Sequence, residues 1–177
     1  DLYSIIVYLR SISPIEKNVS KTELDFPVNL IIKTLPKKPD FQMKLNPKDT
    51  IQHGAYLVNA AGCIDCHSKR DKGKLIPGTE FAGGMQFKFE EGTLTAPNIT
   101  MHKTSGIGNW TKEMFVSKFK IYAGDRINLG GIGKTIYNTP MPWVQYAGMT
   151  ESDLAAIYSY LTSLKPNPNK VVTRTFN

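Results

Sequence analysis

The sequence contains no long hydrophobic run. Its most apolar stretches, Ile5 to Leu9 and Val28 to Ile32, fall far short of the ~20 residues a membrane-spanning helix needs. Cysteine is almost absent, with two in 177 residues, which excludes a disulfide-dense scaffold. Acidic residues are in the minority, 15 against 22 Lys and Arg, for a formal net charge of +7. That balance points to an acidic partner surface. No basic helix or aromatic platform accompanies the charge, so nucleic acid is not the expected partner. With 41% apolar and 21% charged residues, a packed core is feasible.

What the chain does have is three amphipathic helical segments. Residues 48–61 read as a helix capped by Asp49 or Thr50, with Ile51, Ala55 and Val58 on its apolar face and Gly62 ending it. Residues 111–122 follow Thr111 as N-cap and carry the stripe Phe115, Phe119, Tyr122. Residues 151–164 follow Thr150-Glu-Ser-Asp153, a capping-box pattern with Asp in place of Glu, and stop at Pro166. Met149 and Leu154 occupy the two staple positions of that helix. Residues 68–109 show no strong helix or strand signal, and 125–148 read as loop. The fold class expected is therefore all-α, three main helices joined by long loops. Loops of that length argue against the assignment, unless something large other than protein fills the core.

The two cysteines supply that filling. They stand in Cys63-Ile-Asp-Cys66-His67, the C-x-x-C-H pattern of c-type haem attachment. Each thiol would form a thioether with a haem vinyl group, and His67 would bind the iron. A zinc site would need a fourth ligand, and only His53 and His102 remain, at no recognised spacing. A thioredoxin-like dithiol follows a strand, whereas here a helix precedes the motif. Among six methionines, Met141 is the leading sixth ligand, because Pro140 and Pro142 stiffen the backbone around it. Met85 and Met101 lie in loops as alternatives; Met114 and Met149 have ordinary helical and staple roles. His53 reads as a solvated helix residue.

The ends of the chain carry a repeat. Residues 1–14 align without gaps on residues 153–166, and Asp1, Leu2, Ile5, Tyr8, Leu9, Ser11 and Pro14 are identical. Amphipathic helices that end in proline resemble one another by chance. The sharper reading makes residues 1–14 the last helix of a preceding, similar domain, in a chain that begins with Asp rather than Met. Residues 15–47 then form a proline-containing linker, with Phe26 to Ile32 as a short strand or covering segment. Residues 48–166 form the haem domain, and 167–177 a C-terminal extension.

Gly54-Ala-Tyr-Leu-Val-Asn-Ala-Ala-Gly-Cys63, Ala82-Gly-Gly84, Asn98-Ile-Thr100, Gly106-Ile-Gly108, Trp110-Thr111, Met141-Pro-Trp143 and Asp153-Leu-Ala-Ala-Ile157 together resemble a class I c-type cytochrome. Specifically, they are similar to the haem domains of multihaem cytochrome subunits of bacterial membrane-associated dehydrogenases for alcohols, aldehydes and sugar acids. The resemblance implies the cytochrome c fold around one covalent haem c and its iron, with His67 and Met141 as iron ligands. It implies that Gly54 or Ala55 lets the first helix approach the last near Tyr160. It also implies that the Pro77 carbonyl bonds the other ring nitrogen of His67, and that Trp143 and Trp110 cover the haem edge or propionates.

Single-electron transfer is the function this implies, because an iron held by two permanent ligands changes oxidation state with little movement. A thioether ligand also raises the potential relative to a second histidine. The chain itself would be a carrier rather than an enzyme. The expected partners are a dehydrogenase subunit as donor, an oxidase or soluble cytochrome as acceptor, and a preceding cytochrome domain in the same polypeptide. The expected place is the periplasm or the outer face of the bacterial inner membrane, with peripheral membrane association. Lys69-Arg-Asp-Lys-Gly-Lys74 is the first place to look for a basic docking face. The rival readings are a peroxidase-type enzyme using His102 or Glu90 over a labile sixth site, and a gas-sensing haem domain.

Overall fold

The computed structural model describes residues 2–38, 49–124 and 140–177. The chain divides into two units, Asp1–Gln42 and Met43–Asn177. The first contains helix α1 (Leu2–Ser11), a short α2 (Val28–Ile31) and a 3-10 turn (Ile32–Thr34). Phe26 to Ile32, expected as a strand or covering segment, thus begins a helical turn. Every described residue of this unit is exposed, including the apolar side chains of α1.

The second unit is built on three helices, α3 (Thr50–Ala60), α5 (Lys112–Lys120) and α7 (Glu151–Ser163). Each begins at an N-cap whose side chain accepts a backbone N–H: Asp49 from Gln52, Thr111 from Met114, Thr150 from Asp153. These caps satisfy donors that the first helical turn otherwise leaves without partners. The expected capping box of α7 is modified. The Asp153 carboxylate accepts the Thr150 hydroxyl at 2.7 Å and also meets His53 Nε2 at 2.8 Å. His53 is therefore a half-buried tie between α3 and α7 rather than a solvated residue.

The helices α3 and α7 press together at a glycine. A Cβ on Gly54 would lie 2.0 Å from the Ala156 carbonyl oxygen and 2.9 Å from Tyr160 Cβ, so only glycine allows this approach. Around it lies the core: Val58 from α3, Phe115 and Phe119 from α5, Leu154, Ile157 and Leu161 from α7, with Phe81 and Ile107 from the intervening loop. Short helices α4 (Cys63–Cys66) and α6 (Trp143–Ala147) complete the helical set among the described residues.

The long loop is more ordered than its sequence suggests. Residues 70–75 form a two-stranded antiparallel hairpin, β1 (Arg70–Asp71) with β2 (Lys74–Leu75). Residues 86–95 form a second, β3 (Gln86–Phe89) with β4 (Gly92–Thr95). The C-terminal extension returns as β5 (Arg174–Phe176) and pairs antiparallel with β4, giving sheet order β3-β4-β5. The unit is helical at its centre with a small sheet on the loop side, which refines the all-α expectation. Residues 39–48 of the linker and 125–139 of the loop before Met141 lie outside the described residues.

Candidate haem site

Gly62, in the left-handed region at φ 64°, ends α3 and turns the chain directly into α4. That single turn carries both cysteines, and the His67 N–H closes it on the Cys63 carbonyl at 3.0 Å. Neither cysteine is in a disulfide. Burial pushes the Cys63 thiol up to about 11, and raises Cys66 for the same reason. Both are therefore neutral thiols at pH 7. A dithiol redox centre depends on the opposite shift, toward the thiolate.

His67 is 7% exposed. Its Nδ1–H donates to the Pro97 carbonyl at 2.8 Å, which fixes the tautomer and leaves the lone pair on Nε2, the pattern of a metal-binding histidine. Burial lowers its pKa, partly offset by that bond, so the ring is neutral. No partner for Nε2 exists among the described residues. A buried, neutral imidazole with an unpartnered lone pair, one residue beyond two free thiols, fits a covalently tethered haem iron.

The hydrogen bond expected from Pro77 is made by Pro97 instead. Pro77 lies in the turn in which the Thr79 N–H donates to the Ile76 carbonyl. The Pro97 carbonyl is brought to Nδ1 because β3 and β4 leave and return as a hairpin. Gly84 N–H then donates to the Ala96 carbonyl at 3.0 Å, and Gly83 N–H to the His67 carbonyl at 2.7 Å. Gly83, at φ 77°, has space for no Cβ: one would lie 2.5 Å from the Ala96 oxygen and 2.6 Å from the Pro97 carbonyl carbon.

Asn98 holds the Pro97 peptide from the other side. Its side-chain oxygen accepts the Thr100 N–H at 2.9 Å and hydroxyl at 2.8 Å. Its amide nitrogen donates to the Asn167 and Asn169 carbonyls at 2.8 and 3.0 Å. Asn167 and Asn169 in turn donate to the carbonyls of Gly78 and Ala82. This network, buried at Asn98 and Thr100, is anchored by the C-terminal extension. Asn98 and Thr100 stood among the matching residues, but with no role attached.

Met141 is half-buried and packs against the core with Cys63, Ile64, Met101, Trp110 and Trp143. Trp143 stacks on Tyr122 at 5.1 Å and tilts against Phe119 at 5.4 Å, with Lys118 Nζ 5.5 Å from its ring centre. The Tyr146 hydroxyl donates to the Ala61 carbonyl at 2.8 Å. Burial and the nearby Cys63 and Cys66 raise its pKa. Of the two alternative methionines Met85 is exposed, while Met101 is half-buried against the same core; Met114 is exposed on α5. His102 Nδ1 meets the Ser105 hydroxyl at 2.8 Å, and Glu90 is exposed in the β3–β4 turn. Of the basic run after the motif, Arg70 pairs with Asp65, while Lys72 and Lys74 are exposed. A cleft of about 580 Å³ beside Ile64, Phe81 and Leu164 is lined by neither cysteine, nor His67, nor Met141.

The family model for cytochrome c matches residues 51–165. The cytochrome c subunit of gluconate 2-dehydrogenase from Pantoea cypripedii is 33% identical over 110 residues, covering 62% of this chain and 22% of that one. The fructose dehydrogenase cytochrome subunit of Gluconobacter japonicus is 32% identical over 120 residues, 67% of this chain and 22% of that one. A diheme cytochrome c-type protein of Cereibacter sphaeroides is 25% identical over 137 residues, 76% of this chain and 43% of that one. The chain spans about a fifth of the length of the dehydrogenase subunits it matches.

Proposed function

The chain belongs to the cytochrome c family, and we propose that it is one electron-transfer module of a multihaem cytochrome serving a dehydrogenase. Cys63 and Cys66 carry the haem c thioethers, and His67 and Met141 bind the iron. When bound, haem c supplies a one-electron couple. His67 stays neutral and oriented through Pro97, while the core on which the half-buried Met141 packs excludes water. The observation that carries the reading is the His67 ring: buried, neutral, committed through Nδ1 and, among the described residues, unpartnered at Nε2. A peroxidase-type site is not favoured, since His102 is tied to Ser105 and Glu90 faces solvent.

The experiment is denaturing electrophoresis with haem staining and intact mass on the haem-loaded chain. It is followed by a redox titration and a near-infrared spectrum of the ferric form. One haem retained after denaturation, a one-electron wave and a sulfur-to-iron charge-transfer band are expected. Haem lost on denaturation sinks the covalent attachment; a missing band sinks Met141.

The tandem arrangement is part of the same reading. On α7, Leu154, Ile157 and Leu161 are 0, 5 and 1% exposed. Their counterparts in the repeat, Leu2, Ile5 and Leu9 on α1, are 65, 54 and 56% exposed. An apolar helix with the same knobs fits the closing helix of a preceding module, with residues 15–47 as linker. A haem-to-polypeptide ratio of one in the full natural protein would refute this. We place the module in the periplasm or at the outer face of the bacterial inner membrane, with a dehydrogenase subunit as donor and an oxidase or soluble cytochrome as acceptor. Among the described residues no helix is long and apolar enough to cross a membrane.

A further inference from the structure

A thioether is a weak iron ligand, so the backbone that carries Met141 must be held by something else. On its C-terminal side it is continuous with α6, and the Trp143 N–H turns back onto the Met141 carbonyl at 2.8 Å. α6 has only five residues, too few to persist without tertiary support. Two side chains supply that support. The Tyr146 hydroxyl donates to the Ala61 carbonyl at 2.8 Å, and Ala61 is the C-cap of α3, two residues before Cys63. Lys120, at the end of α5, donates from Nζ to the Ala147 carbonyl at 3.0 Å and to the Met149 carbonyl. The Ala147 carbonyl is at the C-terminus of α6, where carbonyls lack partners within the helix itself, and the Met149 carbonyl lies just beyond it.

We infer that Tyr146 and Lys120 are positioning residues for the sixth iron ligand, together holding the Met141 segment closed against the segment that carries the haem-attachment motif. The inference rests on the reading of Met141 as ligand. Tyr146 spans the two halves of the site directly. Its hydroxyl belongs to the distal segment and its acceptor to the proximal one, so the bond exists only while the two are together. Its ring also packs on Phe119 at 6.3 Å, so removing the hydroxyl alone leaves the packing in place. Lys120 fixes the C-terminal end of α6 to α5. Loss of either tie favours an open segment, and an added ligand then competes with Met141 more easily.

The test uses the haem-loaded chain, with imidazole as the competing ligand and the sulfur-to-iron band as readout. The variants are Tyr146→Phe, Lys120→Met and Lys120→Arg. Tyr158→Phe is the control, since it deletes an equivalent tyrosine–carbonyl bond, to Trp110 at 2.6 Å, away from α6. Loss of one ordinary hydrogen bond from the closed form gives about three- to tenfold tighter imidazole binding in Tyr146→Phe and Lys120→Met. Lys120→Arg restores much of the wild-type value, and Tyr158→Phe stays within about twofold. Tyr146→Phe binding imidazole like the wild type overturns the inference, whatever its thermal stability. So does an equal effect of Tyr158→Phe. A wild-type protein without the band overturns the Met141 reading and this inference together; a wild type with the band and an unchanged Tyr146→Phe overturns this inference alone.

Discussion

Replacing Gly54 by alanine tests the junction on which the haem domain depends. The new Cβ would stand 2.0 Å from the Ala156 oxygen, 2.6 Å from its carbonyl carbon and 2.9 Å from Tyr160 Cβ. Two of these are backbone atoms of α7, so no rotamer change relieves the contact. Ordinary contact begins near 3.4 Å, so α3 and α7 must separate by roughly an ångström. A gap of that size removes about a quarter to a half of the dispersion energy of facing atoms. The side chains affected are Val58, Leu154, Ile157 and Leu161, all buried. Overpacking of this kind costs about 3 kcal/mol or more. The better helix propensity of alanine offsets about 1 kcal/mol. The expected net loss is about 2–3 kcal/mol, a fall of about 1–2 M in the urea midpoint of the haem-loaded chain at unchanged slope. A Gly54→Ala protein as stable as the wild type, or stabilised by the propensity gain, would show that the helices do not approach this closely.

Three other substitutions address the site and its supports. Met141→His should abolish the sulfur-to-iron band and lower the reduction potential, because a second imidazole stabilises ferric iron more than a thioether does; an unchanged potential in a redox titration would place the ligand elsewhere. Asn98→Ala removes one buried amide that both donates and accepts, leaving several buried backbone groups unpaired. It should cost about 2–4 kcal/mol in chemical denaturation, and a loss below 1 kcal/mol would refute the role given to the network. The His53 hydrogen bond and Thr150 hold the Asp153 carboxyl below the usual aspartate range. Its folded pKa is thus below its unfolded one, so its stabilisation is complete above pH ~4 and is lost as pH falls through the folded value. Asp153→Asn should lower stability at pH 7 by about 1 kcal/mol or less and flatten the acid limb of a stability–pH profile; an acid limb identical to wild type would contradict the tie.

The helices were legible because their signals are local. Asp49, Thr111 and Thr150 each announce a helix within three residues of its start, and Gly62 announces an end. The C-x-x-C-H turn is equally self-contained: five residues specify its chemistry without reference to the rest of the chain. The strands were less visible. Gln86-Phe-Lys-Phe89 does alternate, and Glu90-Glu-Gly92 could have been read as its turn, but β4 takes its identity from pairing on both sides. His53 looked solvated because its partner, Asp153, lies 100 residues away. The same limit explains Pro77 and Pro97. Any backbone carbonyl can accept a hydrogen bond from Nδ1, so residue type carries no signal for which one does, and only the hairpin that returns the Pro97 carbonyl to Nδ1 decides it.

The C-terminal extension shows how much of an active geometry can depend on residues with no chemistry of their own. Residues 167–177 read as an appendage because they follow the last helix and contain no motif. In the structure, Asn167 and Asn169 supply the carbonyls that hold Asn98. Asn98 is the neighbour of Pro97, and Pro97 fixes the tautomer of His67. Thr173 accepts the Thr95 N–H at 2.9 Å, and Arg174–Phe176 pairs with β4, so the hairpin that delivers Pro97 is braced from the same segment. The orientation of the His67 ring is therefore determined from two distant parts of the chain. The first helix delivers Cys63, Cys66 and His67 through Gly62, and the tail delivers the acceptor for Nδ1 through Asn98. Three residues of chemistry are placed by a tail of amides and backbone carbonyls, whose function appears only once the chain has closed on itself.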